Sequence, residues 1–327
     1  MGCRVMRYRF LGNTGLSLSC LGLGAMMFGG PTGPKESEEI IQKAYELGIN
    51  YFDTANVYHQ GESERILGKS LKPFRDNVIL STKGGRFMGD GQNQGGLSRV
   101  NLIRQVEESL QRLDTDWIDI YFLHVEDPKT SMQEIILTMD ILVRQGKIRY
   151  FGCSNFYPST IVECLWSSDR LKGARLCCLQ DEYNLLNRQV EMEVLPICKR
   201  HQLGLIVYSP LARGLLVGKY FEQQPPPESS RAGRGDKFIV KDWTREKFKR
   251  LEEIRKIFSE YKESLSQCAI AWLLHQETVT SVMLGPRTLN QFLDNIEAIK
   301  VTIQPQTFED LDAFQPVRSW GVPPLRS

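Results

Sequence analysis

The sequence predicts an α/β fold, a single (β/α)8 barrel of parallel strands ringed by helices, and three observations point to it. Short β-rich runs alternate with amphipathic stretches from about Ser19 onward, as repeated βα units do. These runs number eight. Glycines mark the boundaries, with Gly48 before Ile49, Gly146 before Lys147 and Gly204 before Leu205 expected as left-handed helix C-caps. A chain of 327 residues exceeds the usual single core, but such barrels reach about 250 residues and carry insertions beyond that. Residues 1–327 therefore read as one domain.

Each element follows from local pattern. The expected strands are Cys20–Ala25, Ile49–Asp53, Asn77–Thr82, Trp117–His124, Ile148–Cys153, Leu176–Gln180, Leu205–Tyr208 and Val279–Leu284. Between them lie helical stretches at Ser37–Leu47, Glu62–Leu71, Arg99–Arg112, Met132–Gln145, Pro158–Ser167, Val190–His201, Glu246–Tyr261 and Asn290–Ile299, with Ser266–Gln276 as an extra. Ile103, Val106, Leu110 and Leu113 show the spacing of one helix face packed on a sheet. Ahead of the barrel, Tyr8–Phe10, Gly12-Asn13 and Leu16–Ser19 read as a small hairpin closing its bottom. Two stretches interrupt the alternation: Gly84–Gly96 and Gly218–Asp242, the latter with Pro225–Pro227 and Gly233/Gly235. Loops of this length are functional lids or disordered insertions, and both alternatives stay open.

Composition narrows the function. A hydrophobic fraction of 41%, a charged fraction of 24% and a formal charge of +2 describe an ordinary globular chain with no field suited to nucleic acid. Eight cysteines lie scattered without a C-x-x-C pair or metal-ligand spacing, which fits buried thiols, a reducing cytoplasmic setting and no metal. Cys177-Cys178 sit in an apolar strand, so burial is expected rather than reactivity. No apolar run reaches the roughly 18 residues of a membrane span. Met1-Gly2-Cys3 begins like a myristoylation start, but Met6 stands where that motif requires Ser or Thr.

In a parallel βα barrel the active site lies at the carboxyl ends of the strands. Those positions read Asp53, Lys83, His124, Ser154-Asn155, Gln180, Tyr208 and Gly285–Arg287, with Tyr58 on the loop after the second strand. Singly, each has an ordinary explanation: Asp53 as a helix cap, Lys83 as surface charge, His124 as a satisfied core histidine, Tyr58 as packing. Together, Asp53, Tyr58, Lys83 and His124 bring a carboxylate, a phenol, an ammonium and an imidazole to one mouth, a set suited to proton transfer. Lys83, held by Asp53, is expected to favour the Tyr58 phenolate, and a neutral His124 to orient a substrate carbonyl. No side chain delivers a hydride, so a nicotinamide is implied.

The motifs at these positions resemble the aldo-keto reductase family over nearly the whole chain. Gly48-Ile-Asn-Tyr-Phe-Asp53-Thr-Ala-Asn-Val-Tyr58 with Gly61-Glu-Ser-Glu64 and Leu67-Gly68, Ser81-Thr-Lys83, and Asp119-Ile-Tyr-Phe-Leu-His124 are similar to its signatures. The resemblance implies a barrel of the TIM type and a catalytic tetrad at Asp53, Tyr58, Lys83 and His124. It also implies NADP(H), with Ser154, Asn155 and Gln180 on the nicotinamide carboxamide. Tyr208 would stack on the nicotinamide, and Ser209, Pro210, Leu211, Arg213, Gly214, Lys219 and Arg231 would follow along the cofactor. Gly285, Arg287, Gln291 and Asn295 would form the adenosine site. Gln291 and Asn295, four apart, share a helix face. The Arg287 guanidinium would pair with a 2′-phosphate, which favours NADPH over NADH. Pro286 and the stretch Val125-Glu-Asp-Pro128 depart from the family pattern, and Pro286 removes an N–H.

Gly22-Leu-Gly24-Ala-Met-Met-Phe-Gly29 begins like a dinucleotide fingerprint, but Met27 replaces its third glycine and no helix opens there. In a barrel these residues line the substrate mouth instead. The expected pocket comprises Met27, Phe28, Tyr58, Phe87, His124 and the loop near Arg213, with the tail around Trp320 closing over it. The expected function is hydride transfer between NADPH and a small aldehyde or ketone, with Tyr58 as general acid. A rival is a regulatory NADPH-binding subunit with slow turnover, resembling potassium-channel beta subunits. A barrel enzyme of unrelated chemistry is a third.

Overall fold

The computed structural model describes residues 6–228, 230–235, 239 and 242–313. Eight parallel strands close into a barrel: β3 (Leu21–Gly24), β4 (Tyr51–Asp53), β5 (Ile79–Gly84), β6 (Ile118–Leu123), β7 (Ile148–Ser154), β8 (Leu176–Glu182), β9 (Gly204–Tyr208) and β10 (Val279–Leu284). They pair in chain order, and β10 closes on β3 through Val282↔Leu21 and Leu284↔Leu23. Each expected strand appears, shifted by at most two residues at either end. Strand ends are set by ladder partners, which a local pattern does not contain.

Helices cover the outside: α1 (Pro34–Glu46), α2 (Glu62–Leu71), α3 (Arg99–Leu113), α4 (Met132–Arg144), α5 (Pro158–Leu171), α6 (Val194–His201), α7 (Arg245–Ile257), α8 (Leu265–Leu274), α9 (Leu289–Ile296) and α10 (Pro305–Asp312). In α3 Val106, Leu110 and Leu113 lie on the buried face as expected, but Leu102 completes it and Ile103 is only half-buried at its edge. The extra helix α8 is buried on nearly all sides and opens with a capping box between Ser264 and Gln267. The sequence reading missed α10, whose short PQTFEDLD run buries only Thr307 and Leu311.

The core has two compartments. Leu23, Phe52, Leu80 and Leu123 belong to the cluster between barrel and helices. Tyr51, Ile120, Phe122, Cys177, Cys178, Ile206 and Met283 fill the inside, joined by Leu11 and Leu18 from the hairpin β1 (Tyr8–Phe10) and β2 (Ser17–Ser19). The hairpin thus closes the lower end with apolar side chains. Arg9 pins it there by donating to the carbonyls of Leu274, Gln276 and Val279.

Gly48 and Gly146 adopt the expected left-handed conformation at φ +86° and +73°. Gly204 does not. Gln202 takes the left-handed position at φ +54°, and Gly204 already belongs to β9. Its lack of a side chain serves close packing instead, since a Cβ there would lie 2.4 Å from Leu11 Cδ1. The seven described cysteines are buried and form no disulfide. Among the described residues no helix is long and apolar enough to cross a membrane.

Candidate active site

Asp53 ends β4, Lys83 is the fifth residue of β5, and His124 follows β6, so three adjacent strands carry them to the same rim. Lys83 Nζ donates to Asp53 Oδ2 at 2.5 Å and to the Thr54 carbonyl at 2.7 Å. The other carboxylate oxygen accepts from Ser81 Oγ at 2.6 Å and Gln180 Nε2 at 3.0 Å. Because the Ser81 proton goes to Asp53, the 2.9 Å contact between Tyr51 and Ser81 has Tyr51 as donor. A directed chain, Tyr51 to Ser81 to Asp53, therefore fixes the carboxylate from inside the barrel.

Tyr58 is half-buried above this pair, its ring centroid 5.3 Å from Lys83 Nζ and 6.0 Å from the His124 ring, which meets it edge-on at 85°. The two residues after Tyr58 are left-handed, His59 at φ +47° and Gln60 at φ +55°, and Gly61 follows at +85°. This strained turn holds the phenol at the start of α2. Burial raises the Tyr58 pKa above its ordinary value; the Lys83 charge opposes that rise and Asp53 adds to it. The expected shift toward phenolate is thus outweighed, and Tyr58 stays protonated at neutral pH. Burial works against the Lys83 charge, yet Asp53 and Tyr58 leave its pKa raised. Burial, with Lys83 and Arg86, pushes the His124 pKa down to about 2, so the imidazole is neutral. Its Nδ1 is buried without a partner, so no protein group selects the tautomer.

The opposite half of the rim comes from β7 to β10. Asn155, left-handed at φ +59°, donates from Nδ2 to the His124 carbonyl at 3.1 Å and to Ser154 Oγ at 2.9 Å. Its Oδ1 accepts from Tyr208 OH at 2.7 Å, and its backbone N–H donates to Asp181 Oδ1 at 3.0 Å. Burial raises the Asp181 pKa to about 6, the Asn155 N–H holding it back. Asp181 and the Tyr51–Ser81 pair were missed from sequence, where they look like ordinary strand residues; no local signal marks them. After β9, Ser209, Ala212, Arg213 and Gly214 all have positive φ. Pro210 is buried, Leu211 is half-buried, and Lys219 is exposed with its ammonium over the Tyr220 ring.

Several expected cofactor residues have protein partners. Arg213 grips Glu182 with two bonds of 2.7 Å and reaches Asp242 at 3.1 Å, which ties the left-handed run to the end of the 218–242 excursion. The Gln180 amide N–H reaches Asp53. Gln291 Oε1 accepts from the Arg287 backbone at 2.9 Å, while Asn295 is half-buried on the same helix and Gly285 is exposed. Arg287 has a buried Nε without a partner, and burial followed by the charges of Arg234 and Arg231 lowers its pKa. Three guanidinium groups near one another suit a multiply charged anion.

The expected pocket is only partly assembled. Met27 is half-buried and Phe87 is 68% exposed on the loop after β5. Phe28 is wholly buried in the outer core cluster, so it packs beneath the mouth and does not line it. The apolar run after β3 turns back at an isolated bridge between Phe28 and Thr32. Trp320 lies outside the described residues.

A profile of the Aldo/keto reductase family matches residues 20–316. A rice protein (Oryza sativa subsp. japonica) named as a probable voltage-gated potassium channel subunit beta is 34% identical over 94% of this chain and 96% of its own length. An Arabidopsis thaliana protein of the same name is 33% identical over 90% of this chain and 92% of its own. The match runs through every strand of the barrel, and the chain belongs to the aldo/keto reductase family.

Proposed function

We propose that the protein is an NADPH-dependent reductase of aldehydes and ketones in which Tyr58 is the proton donor. Family membership supports an oxidoreductase. One observation carries the finer reading: a phenol kept protonated by burial stands over a buried Lys83–Asp53 pair and beside a neutral imidazole. The residues of the opposite half fit a nicotinamide dinucleotide, because the buried Arg287 Nε lacks an acceptor and the positive charges of Arg234 and Arg231 near it favour an anion there. Ser154 and Asn155 would hold the carboxamide, with Tyr208 against the ring and Arg287 at the 2′-phosphate.

When bound, the nicotinamide supplies the hydride. His124 donates a hydrogen bond to the substrate carbonyl and orients it. As negative charge develops on that oxygen, Tyr58 gives up its proton, and Lys83 stabilises the phenolate that remains. Asp53 keeps the ammonium charged and in place. The Arg213–Glu182–Asp242 pairing acts on the loop rather than on phosphate, holding the left-handed run Ala212–Gly214 in place.

The names of the two plant relatives favour a second reading, a channel-type regulatory subunit, which on this chain would hold NADPH and turn it over slowly. Fluorescence titration with NADPH and NADH, followed by a panel of aldehydes and ketones, separates the two. Tight NADPH binding with carbonyl-dependent oxidation supports the reductase. Binding without turnover across the panel supports the subunit, and binding of neither nucleotide removes both.

A further inference from the structure

The loop after β5 carries a charge that the reaction as described does not use. Gly96 N–H donates to the Gly85 carbonyl at 2.8 Å and Met88 N–H to the Gln94 carbonyl at 3.0 Å, so residues 85–96 form a closed excursion. The α3 side chain of Gln105 fastens its base, accepting from Gly85 N–H at 2.6 Å and donating to the Arg86 carbonyl at 2.9 Å. Asp127 holds its far end through Leu97 N–H at 2.8 Å. Arg86 is thereby fixed three residues beyond Lys83, exposed at the rim, with Phe87 next to it.

Three carboxylates on this side are engaged elsewhere, and Asp90 on the same loop forms no ion pair with Arg86. Asp53 binds Lys83, Glu126 accepts from Tyr157 N–H, and Asp127 accepts from Leu97, Lys129 and Thr130. The Arg86 guanidinium forms no hydrogen bond or ion pair among the described residues, yet its charge is felt at both Tyr58 and His124. The strand order places β5 diametrically opposite β9 in the closed barrel, so Arg86 stands across the mouth from the proposed phosphate-binding loops. A cation here meets the substrate, not the cofactor phosphates.

We propose that Arg86 receives an anionic group of the substrate, so that the preferred carbonyl compounds carry a carboxylate or similar anion, with Phe87 against their apolar part. This rests on the reductase reading. A planar guanidinium on an anchored loop can take a carboxylate through two parallel hydrogen bonds.

The test compares 4-formylbenzoate with its methyl ester as substrates, and 4-(hydroxymethyl)benzoate with its methyl ester as ligands. Binding to the full chain is measured by calorimetry with and without NADPH, for the wild type, Arg86→Met and Arg86→Lys. The wild type should bind the acid about fivefold more tightly than the ester; Arg86→Met should erase that preference and Arg86→Lys keep most of it. Using ratios cancels the differing reactivity of the two aldehydes, and the exposed position leaves the core intact. An acid-to-ester ratio unmoved by Arg86→Met, in binding or in kcat/KM, overturns the inference even where both aldehydes are reduced. Arg86-dependent binding of the acid with neither aldehyde reduced upholds the anion site and removes the reductase reading instead.

Discussion

On the β4–β6 side of the mouth every deeply buried charge meets its partner within the protein: Lys83 is closed on Asp53, and behind it Arg112 on Glu64 at 2.6 Å. On the β10 side Arg287 buries an Nε without an acceptor, and the charges of Arg234 and Arg231 act on it. The difference fits the roles proposed above for the two halves. Groups that move a proton must hold their geometry and protonation state before a ligand arrives, so their countercharges are built in. Groups that bind a charged ligand must leave capacity for it.

The largest expected effect tests the preorganised half. Tyr58→Phe should lower the chemical rate by about 10²- to 10⁴-fold while leaving NADPH affinity nearly unchanged, as single-turnover kinetics beside a fluorescence titration would read. Unchanged turnover would remove Tyr58 as the acid. Next, Lys83→Met leaves the Asp53 carboxylate buried without its cation and should destabilise the fold by about 3–5 kcal/mol in denaturant unfolding. A loss under about 1 kcal/mol would mean that this half is no more committed to its internal pairs than the surface is.

Arg287→Ala addresses the other half, and should weaken NADPH by about 10-fold while sparing NADH, since only the former carries the 2′-phosphate. Equal loss for both nucleotides would make Arg287 structural and dissolve the contrast. The smallest effect, taken per pH unit, is a slope of stability with pH. His124 has a folded pKa lowered to about 2, below its unfolded value near 6.5, so the unfolded state binds the extra proton between them. Its contribution to stability is full above about pH 6.5 and falls as pH drops, by up to about 1.4 kcal/mol per unit. Asp181 works the other way. Its folded pKa, raised to about 6, makes the folded state the stronger proton binder below that pH, so stability is regained as the carboxyl protonates. His124→Phe should flatten the acid-side loss and Asp181→Asn should steepen it, as read by thermal unfolding from pH 7 to 4.

Legibility tracked how local each cause was. The βα alternation, the α3 face and the helix caps at Gly48 and Gly146 depend on neighbours within a turn or two of chain, and the structure has them. Gly204 was assigned the wrong duty because its small size answers to Leu11, nearly two hundred residues earlier. Position after a strand points Phe28 to the mouth, whereas its ring packs into the core cluster through contacts that local sequence does not show. Asp53, Lys83 and His124 are visible as residue types at strand ends and Tyr58 on the loop after the second, but not the sign of the Tyr58 shift. That depends on how burial compares with the Lys83 charge.

The sequence by itself therefore determined the architecture and the chemical inventory of the rim, because periodicity and strand-end position repeat with every βα unit. Only the tertiary structure decided which charges are spent and which remain. Arg213 is taken by Glu182 and Asp242, Gln180 and Ser81 are turned onto Asp53, and Arg86 is left exposed without an ion pair among the described residues. The physical reason is that the free energy of a buried or rim charge depends on partners brought within about 3–4 Å by barrel closure, and those partners lie far apart along the chain.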